Sequence, residues 1–327
     1  MDLRLFSLEA TQAFSTHVAR CIGMSLGEHE ERSFEDGEHK ARPLIGVRGQ
    51  DVYVIQSLYG GPKESVSEKF LRLLFFLGTL REGGAARVTA VMPYLCYQRK
   101  DRQTKARDPV TTRYVAQLLE AVGVDAVMTL EVHNIVAFQN AFRTRSEHLD
   151  TRRLFAERLK DRVGDAPLVV ASPDPGGVKR AQLFRETLQA MLGRDIGSAY
   201  LEKRRSSGVV TGDLLAGEVA GACVLIVDDM ISSGGTMLRA AETCLAKGAL
   251  EVHALAAHGL FTEGAEAVLQ RPELASVMVT DTVPPFRLSP SIAERRVEIV
   301  SAAPLIGEAI LRCHENRSIV GLLEPEA

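Results

Sequence analysis

The chain has 327 residues, a length that suits two domains of ordinary size, each able to bury its own core. Hydrophobic residues make up 46% and charged residues 25%, with no Trp, which excludes a disordered chain. A formal charge of −3 gives no general attraction to nucleic acid or to an anionic membrane, so any anionic ligand must be held by local clusters.

Around Asp2, Arg4 and Glu9 the N-terminus shows no apolar signal core, and fully apolar runs such as Leu73 to Leu77 are too short to span a bilayer. Neither export nor a membrane is expected. The cysteines (Cys21, Cys96, Cys223, Cys244, Cys313) are odd in number and lack a C-x-x-C spacing, so the spacing indicates neither a disulfide framework nor a zinc site. A reducing, cytoplasmic compartment is expected.

Short β-branched runs then alternate with helical periodicity. Val52 to Gln56 predicts a strand, Glu68 to Leu80 a helix, Val88 to Met92 a strand, Thr112 to Val122 a helix and Ala126 to Leu130 a strand. The charged stretch Arg143 to Arg153 separates this series from a second one, with Leu168 to Ala171, the helix Gly177 to Leu192 and the strand Cys223 to Val227. Such alternation argues for an α/β fold of mainly parallel sheets covered by helices. We expect a first domain over residues 1–148 and a second over 149–315. The polar turn after a helix at Leu305 to Cys313 allows the tail, 316–327, to return to the first domain.

The richest segment runs Cys223-Val-Leu-Ile-Val-Asp228-Asp229-Met-Ile-Ser232-Ser233-Gly234-Gly235-Thr236 and leads into helical periodicity from Met237 to Lys247. Consecutive backbone amides in a Ser/Gly loop at a helix N-terminus suit a phosphate monoester, and Ser232, Ser233 and Thr236 add hydroxyl donors. Two acids facing that phosphate would repel it. Asp228 and Asp229 more reasonably accept hydrogen bonds from hydroxyls of the same ligand, which makes a sugar phosphate the fitting class. Neither G-x-x-x-x-G-K-[ST] nor G-x-G-x-x-G occurs, so a nucleotide would have to be bound in another way.

This loop resembles the ribose-5-phosphate signature of type I phosphoribosyltransferases and ribose-phosphate diphosphokinases. Ser33-Phe34-Glu35-Asp36-Gly37-Glu38, Pro93 to Arg102, Glu131-Val-His133, Ser172-Pro-Asp174-Pro-Gly-Gly177 and Lys203-Arg204-Arg205 are similar to diphosphokinase motifs in diphosphokinase order, over essentially the whole chain. The resemblance implies two similar type I phosphoribosyltransferase-like domains, each a mainly parallel sheet flanked by helices. It further implies ATP and ribose 5-phosphate as substrates, Mg²⁺ as cofactor, and a homo-oligomer, a hexamer in the family.

On this resemblance, Phe34, Asp36 and Glu38 form an adenine-binding hairpin that serves a neighbouring subunit. Arg99, Lys100 and Asp101 contact ATP, His133 and Asp174 are metal ligands with His133 also contacting ATP, and Lys203 and Arg205 are catalytic, supported by Arg204. Asp228, Asp229, Ser232, Ser233, Gly234, Gly235 and Thr236 hold ribose 5-phosphate. Three positions depart from the commonest pattern: Ser232 for an acid, Glu131 for an aspartate and Cys96 for a glycine. Two other readings compete: a noncatalytic regulatory paralogue, and a phosphoribosyltransferase that consumes the diphosphate.

Overall fold

The computed structural model describes residues 1–164, 166–206 and 209–323, and the side chains of 203–206 and 209–213 lie outside the described residues. The chain divides into two compact units, Met1–Asp150 with Ala303–Val320, and Thr151–Ala302 with the residues from Gly321. Each is built on a sheet of mainly parallel strands flanked by helices.

In the first unit five strands, β1 (Leu3–Ser7), β4 (Asp51–Ile55), β5 (Arg87–Met92), β6 (Ala126–Leu130) and β7 (Arg145–Leu149), lie in that order and all pair in parallel. Between the first two the chain forms an antiparallel hairpin of β2 (His29–Ser33) and β3 (His39–Pro43). Every residue of β4 and of β6 is buried, as unbroken apolar runs in the middle of a parallel sheet require. Helix Val66–Glu82 is started by a capping box, in which the Glu68 amide donates to Ser65 Oγ at 3.2 Å and the Ser65 amide donates to Glu68 Oε2 at 2.6 Å. Its buried face, Phe70, Leu73, Leu74, Phe76, Leu77 and Leu80, covers the sheet.

The division between the two units, after Asp150, falls within the charged stretch Arg143 to Arg153, and that stretch is itself regular structure: Arg145–Leu149 is the edge strand β7, and a helix starts at Arg152. A sheet edge tolerates polar side chains because one side faces water, so apolar content did not mark it. The segment that returns to the first unit is Ala303–Val320: it starts earlier than the expected tail 316–327, with the whole helix Ala303–His314, and the residues from Gly321 group with the second unit. The reason is close packing. A methyl group at Gly307 would lie 2.9 Å from Ile22 Cγ2 and 3.3 Å from the Val18 carbonyl, so the bare glycine lets this helix press against Gln12–Cys21. At its end, His314 Nδ1 lies 2.7 Å from the fully buried Asp51 carboxylate, which also accepts from Arg87 Nε at 2.7 Å.

The second unit carries seven strands in the order β10-β9-β8-β11-β12-β13-β14. They are β8 (Leu168–Ser172), β9 (Gly197–Ser206), β10 (Val209–Ala216), β11 (Cys223–Ile231), β12 (Glu251–Gly259), β13 (Ser276–Thr280) and β14 (Val297–Val300). All neighbours are parallel except β9 and β10. The central strand β11 shows the period of two: Val224 and Ile226 enter one core with Ala240, Ala241 and Cys244, while Cys223, Leu225 and Val227 enter the other with Phe155, Phe184 and Leu188. Helices therefore cover both faces. Among the described residues no helix is long and apolar enough to cross a membrane.

Candidate active site

The strand β11 is longer than the sequence indicates, and this changes where the paired acids sit. Its pairing with β8 stops at Ile226 opposite Ala171, but its pairing with β12 continues through Asp228 opposite Ala256 to Ile231 opposite Gly259. Asp228 and Asp229 thus lie within the strand, on a stretch unpaired on the β8 side, instead of in the loop beyond it. The gap opens at the carboxyl edge of a parallel sheet, where ligands of α/β folds collect.

Arg180, on helix Val178–Leu192, reaches this stretch. Its Nη1 lies 3.3 Å from Asp228 Oδ1 and 3.7 Å from Asp229 Oδ1. Asp229 is buried, while Asp228 keeps about a fifth of its side-chain surface, 20%, in solvent. Burial pushes Asp228 well above the usual carboxylate range, the Asp229 charge adds to this, and Arg180 opposes it. The two acids thus share one guanidinium at the sheet edge.

Beyond Ile231, Gly234 has φ of +79° and precedes helix Gly235–Ala246. A side chain there would be strained, and its Cβ would lie 2.8 Å from Val268 Cγ1, so this turn needs glycine. The amides of the helix's first turn have no acceptor within the helix and face outward along the positive end of its dipole. Thr262 braces the loop, its amide donating to the Ser232 carbonyl at 3.0 Å and its hydroxyl lying 3.1 Å from Ser232 Oγ. Arg239 Nη2 donates to Thr236 Oγ1 at 3.3 Å, which places a second guanidinium beside the loop. Sequence reasoning missed Arg180 and Arg239, although each stands within a turn of a motif glycine, at Gly177 and Gly235.

Asp174 belongs to the same edge. It follows β8 and caps the turn Pro175–Gly177, accepting from the Gly177 amide at 3.1 Å. A methyl group at Gly177 would lie 2.6 Å from Ser172 Oγ, 3.7 Å from Arg180 Nη1 and 3.9 Å from Asp174 Oδ1. Bare backbone at Gly177 leaves room for the Ser172 hydroxyl, which donates to the Asp174 carbonyl at 2.6 Å.

In the first unit, the loops after β5 and β6 are laced together. Gln98 Oε1 accepts from the His133 amide at 2.7 Å, and Asn134 Nδ2 donates to Asp101 Oδ2 at 2.6 Å. His133 and Arg99 are exposed. Lys100 pairs with Asp108 and donates to Thr104 Oγ1 at 3.0 Å, an arrangement inside its own loop that holds the Asp108 carboxyl far below its usual range. Phe34, 40% exposed, sits at the hairpin tip with Arg32 stacked 5.1 Å from its ring centre, and the Glu38 amide donates to Asp36 Oδ1 at 3.1 Å. The hairpin is tied to helix Val66–Glu82 by Arg72 Nη2 donating to Ser33 Oγ at 2.8 Å and by His39 stacked on Phe75.

The structure thus joins Asp101 to the loop of His133, and Asp228 to Asp229 through Arg180, with Asp174 on the turn after the neighbouring strand β8. No hydrogen bond or ring contact described for Phe34, Asp36 or Glu38 reaches either cluster. The side chains of Lys203, Arg204 and Arg205 lie outside the described residues; their backbone forms part of β9.

Comparison with known proteins agrees with this architecture. Residues 3–123 match the family described as the N-terminal domain of ribose phosphate pyrophosphokinase, and residues 209–324 match the phosphoribosyl synthetase-associated domain. The chain is 35% identical to a ribose-phosphate pyrophosphokinase of Caldanaerobacter subterraneus over 97% of this chain and 96% of that protein. With a Gloeobacter violaceus ribose-phosphate pyrophosphokinase the identity is 36% over 97% and 92%. Its fold superposes on the crystal structure of phosphoribosylpyrophosphate synthetase from Mycobacterium smegmatis with a TM-score of 0.86 at 29% identity, covering 97% of this chain and all of that one (100%). With the paired acids and Ser/Gly loop standing at the carboxyl edge of its second sheet, the chain belongs to the ribose-phosphate pyrophosphokinase family of enzymes.

Proposed function

We propose that the enzyme transfers the diphosphoryl group of ATP to the C1 hydroxyl of ribose 5-phosphate, giving 5-phosphoribosyl 1-diphosphate and AMP. The observation that supports this most is the single strand β11, which presents two acids and then an amide-rich loop at a helix N-terminus. Ser232, Ser233, Gly234, Gly235 and Thr236 hold the 5-phosphate through backbone amides and hydroxyls, and Arg239 adds a cation. Asp228 and Asp229 accept hydrogen bonds from the ribose hydroxyls.

ATP is assigned to the first unit, with Arg99, Lys100 and Asp101 on its phosphates and ribose. Lys100 would exchange Asp108 for phosphate oxygens. Phe34 stacks on the adenine of a neighbouring copy in a homo-oligomer, where Asp36 or Glu38 accepts from the exocyclic amine. Asp174, a half-buried carboxylate at the sheet edge, suits a hard divalent ion, and His133 is the second proposed ligand. Held there, Mg²⁺ would supply charge neutralisation for the phosphoryl groups during transfer. Lys203 and Arg205 stabilise the β-phosphoryl oxygens and the departing AMP. No side chain acts as nucleophile, so the chain's work is alignment and charge masking.

Purified enzyme supplied with Mg-ATP should release AMP only when ribose 5-phosphate is added. Absence of release would favour a noncatalytic paralogue, and turnover of phosphoribosyl diphosphate with a nucleobase would favour a phosphoribosyltransferase. Lys203→Ala should lower kcat much more than it raises the KM for ribose 5-phosphate, because its contact strengthens in the transition state. Equal losses in both would refute that role.

A further inference from the structure

At the other end of β11 stands a group of side chains that the reaction does not use. Cys223 opens β11 and is paired in register with Glu251, which opens β12, so both project from the same face of the sheet. His253, two residues after Glu251, returns to that face. One ligand atom from each, the thiol sulfur, a carboxylate oxygen and a ring nitrogen, lie within 4.8 Å of one another. This amino edge is about 17 Å along the strand from Asp228, five residues at the rise of a parallel strand.

We propose that Cys223, Glu251 and His253 bind one zinc ion, which clamps the amino ends of β11 and β12. The His253 ring is already oriented for this: its Nδ1 lies 2.8 Å from Ser276 Oγ on the next strand, while Nε2 lies 3.5 Å from Glu251 Oε2. A hydrogen bond at one ring nitrogen that fixes the other as ligand is the usual support of a histidine metal site. Bonds of about 2.0–2.3 Å put tetrahedral ligand atoms about 3.3–3.8 Å apart, so small side-chain rotations close the site. Thiolate, carboxylate and neutral imidazole together balance a divalent charge, and water completes the fourth position. Sulfur and nitrogen donors select zinc over magnesium.

Burial and the Glu251 charge push the free Cys223 thiol up to about 12, so without metal it is protonated at neutral pH. Metal binding therefore displaces one proton from sulfur, and the cation reverses the local preference for the neutral thiol. The sequence could not suggest this site, because its ligands share a sheet edge and no local spacing.

Cobalt(II) is the probe, titrated into the full chain with Mg²⁺ in excess. One equivalent should produce a thiolate-to-cobalt charge-transfer band and the visible bands of a tetrahedral ion, both lost on adding Zn²⁺. Cys223→Ser should abolish the band. Cys21→Ser, which removes the exposed cysteine, should leave it. Glu251→Gln, at an exposed position, and His253→Gln, at a half-buried one, should each weaken binding, and Ser276→Ala should weaken it about 10- to 100-fold. The proposal is overturned if the folded chain shows no charge-transfer band, if the band survives Cys223→Ser, or if Glu251→Gln and His253→Gln both leave the affinity unchanged.

Discussion

At the residue scale the site is organised by how one arginine meets two acids. Asp228 titrates above the usual carboxylate range because it is largely buried and beside Asp229, and Arg180 is what keeps it from rising further. An acid with a raised pKa loses its acceptor capacity as pH falls through that value, so sugar binding should have an acidic limb set by Asp228. Arg180→Met removes the opposing charge, and the acidic limb of kcat/KM for ribose 5-phosphate should move to higher pH. A limb that stays in place, with KM unaltered, would show that the guanidinium only packs. The motif residues of β11 were legible in the sequence because strand, acids, loop and helix are contiguous. Arg180 was not, because its meaning appears only when helix Val178–Leu192 packs beside the unpaired end of β11. Lys100 shows the converse: its type was legible, but its ion pair with Asp108 was not.

At the scale of elements, apolar patterning carried most of the information. The runs predicted at Val52 to Gln56, Val88 to Met92 and Ala126 to Leu130 are strands within one residue of their observed limits, since buried parallel strands are written as unbroken apolar stretches. The edge strand β7 escaped because its sequence, Arg-Ser-Glu-His-Leu, is polar. Helix Ala303–His314 was legible as a helix, but its destination was not, because that depends on a glycine meeting another helix. Gly307→Val would place branched carbons where Ile22 and the Val18 carbonyl already sit. The small gain in helix propensity, a few tenths of a kcal/mol, is outweighed by overpacking, so unfolding in urea should show a loss of about 2 kcal/mol. An unchanged midpoint would mean that the two helices are not pressed together.

At the scale of the whole molecule, two units share one plan, a mainly parallel sheet whose loops at the carboxyl edge carry polar side chains. In the first these are Arg99, Lys100, Asp101 and His133; in the second, Asp174, Asp228, Asp229 and the loop from Ser232 to Thr236. The division of labour that follows, ATP on one unit and sugar phosphate on the other, is the core of the proposed reaction. The most direct test follows phosphorus from ATP labelled separately at its α, β and γ positions. With ribose 5-phosphate and Mg²⁺, the α label should appear in AMP, and the β and γ labels should appear together on the sugar. Transfer of the γ label alone with formation of ADP, or no sugar-dependent transfer at all, would contradict the account.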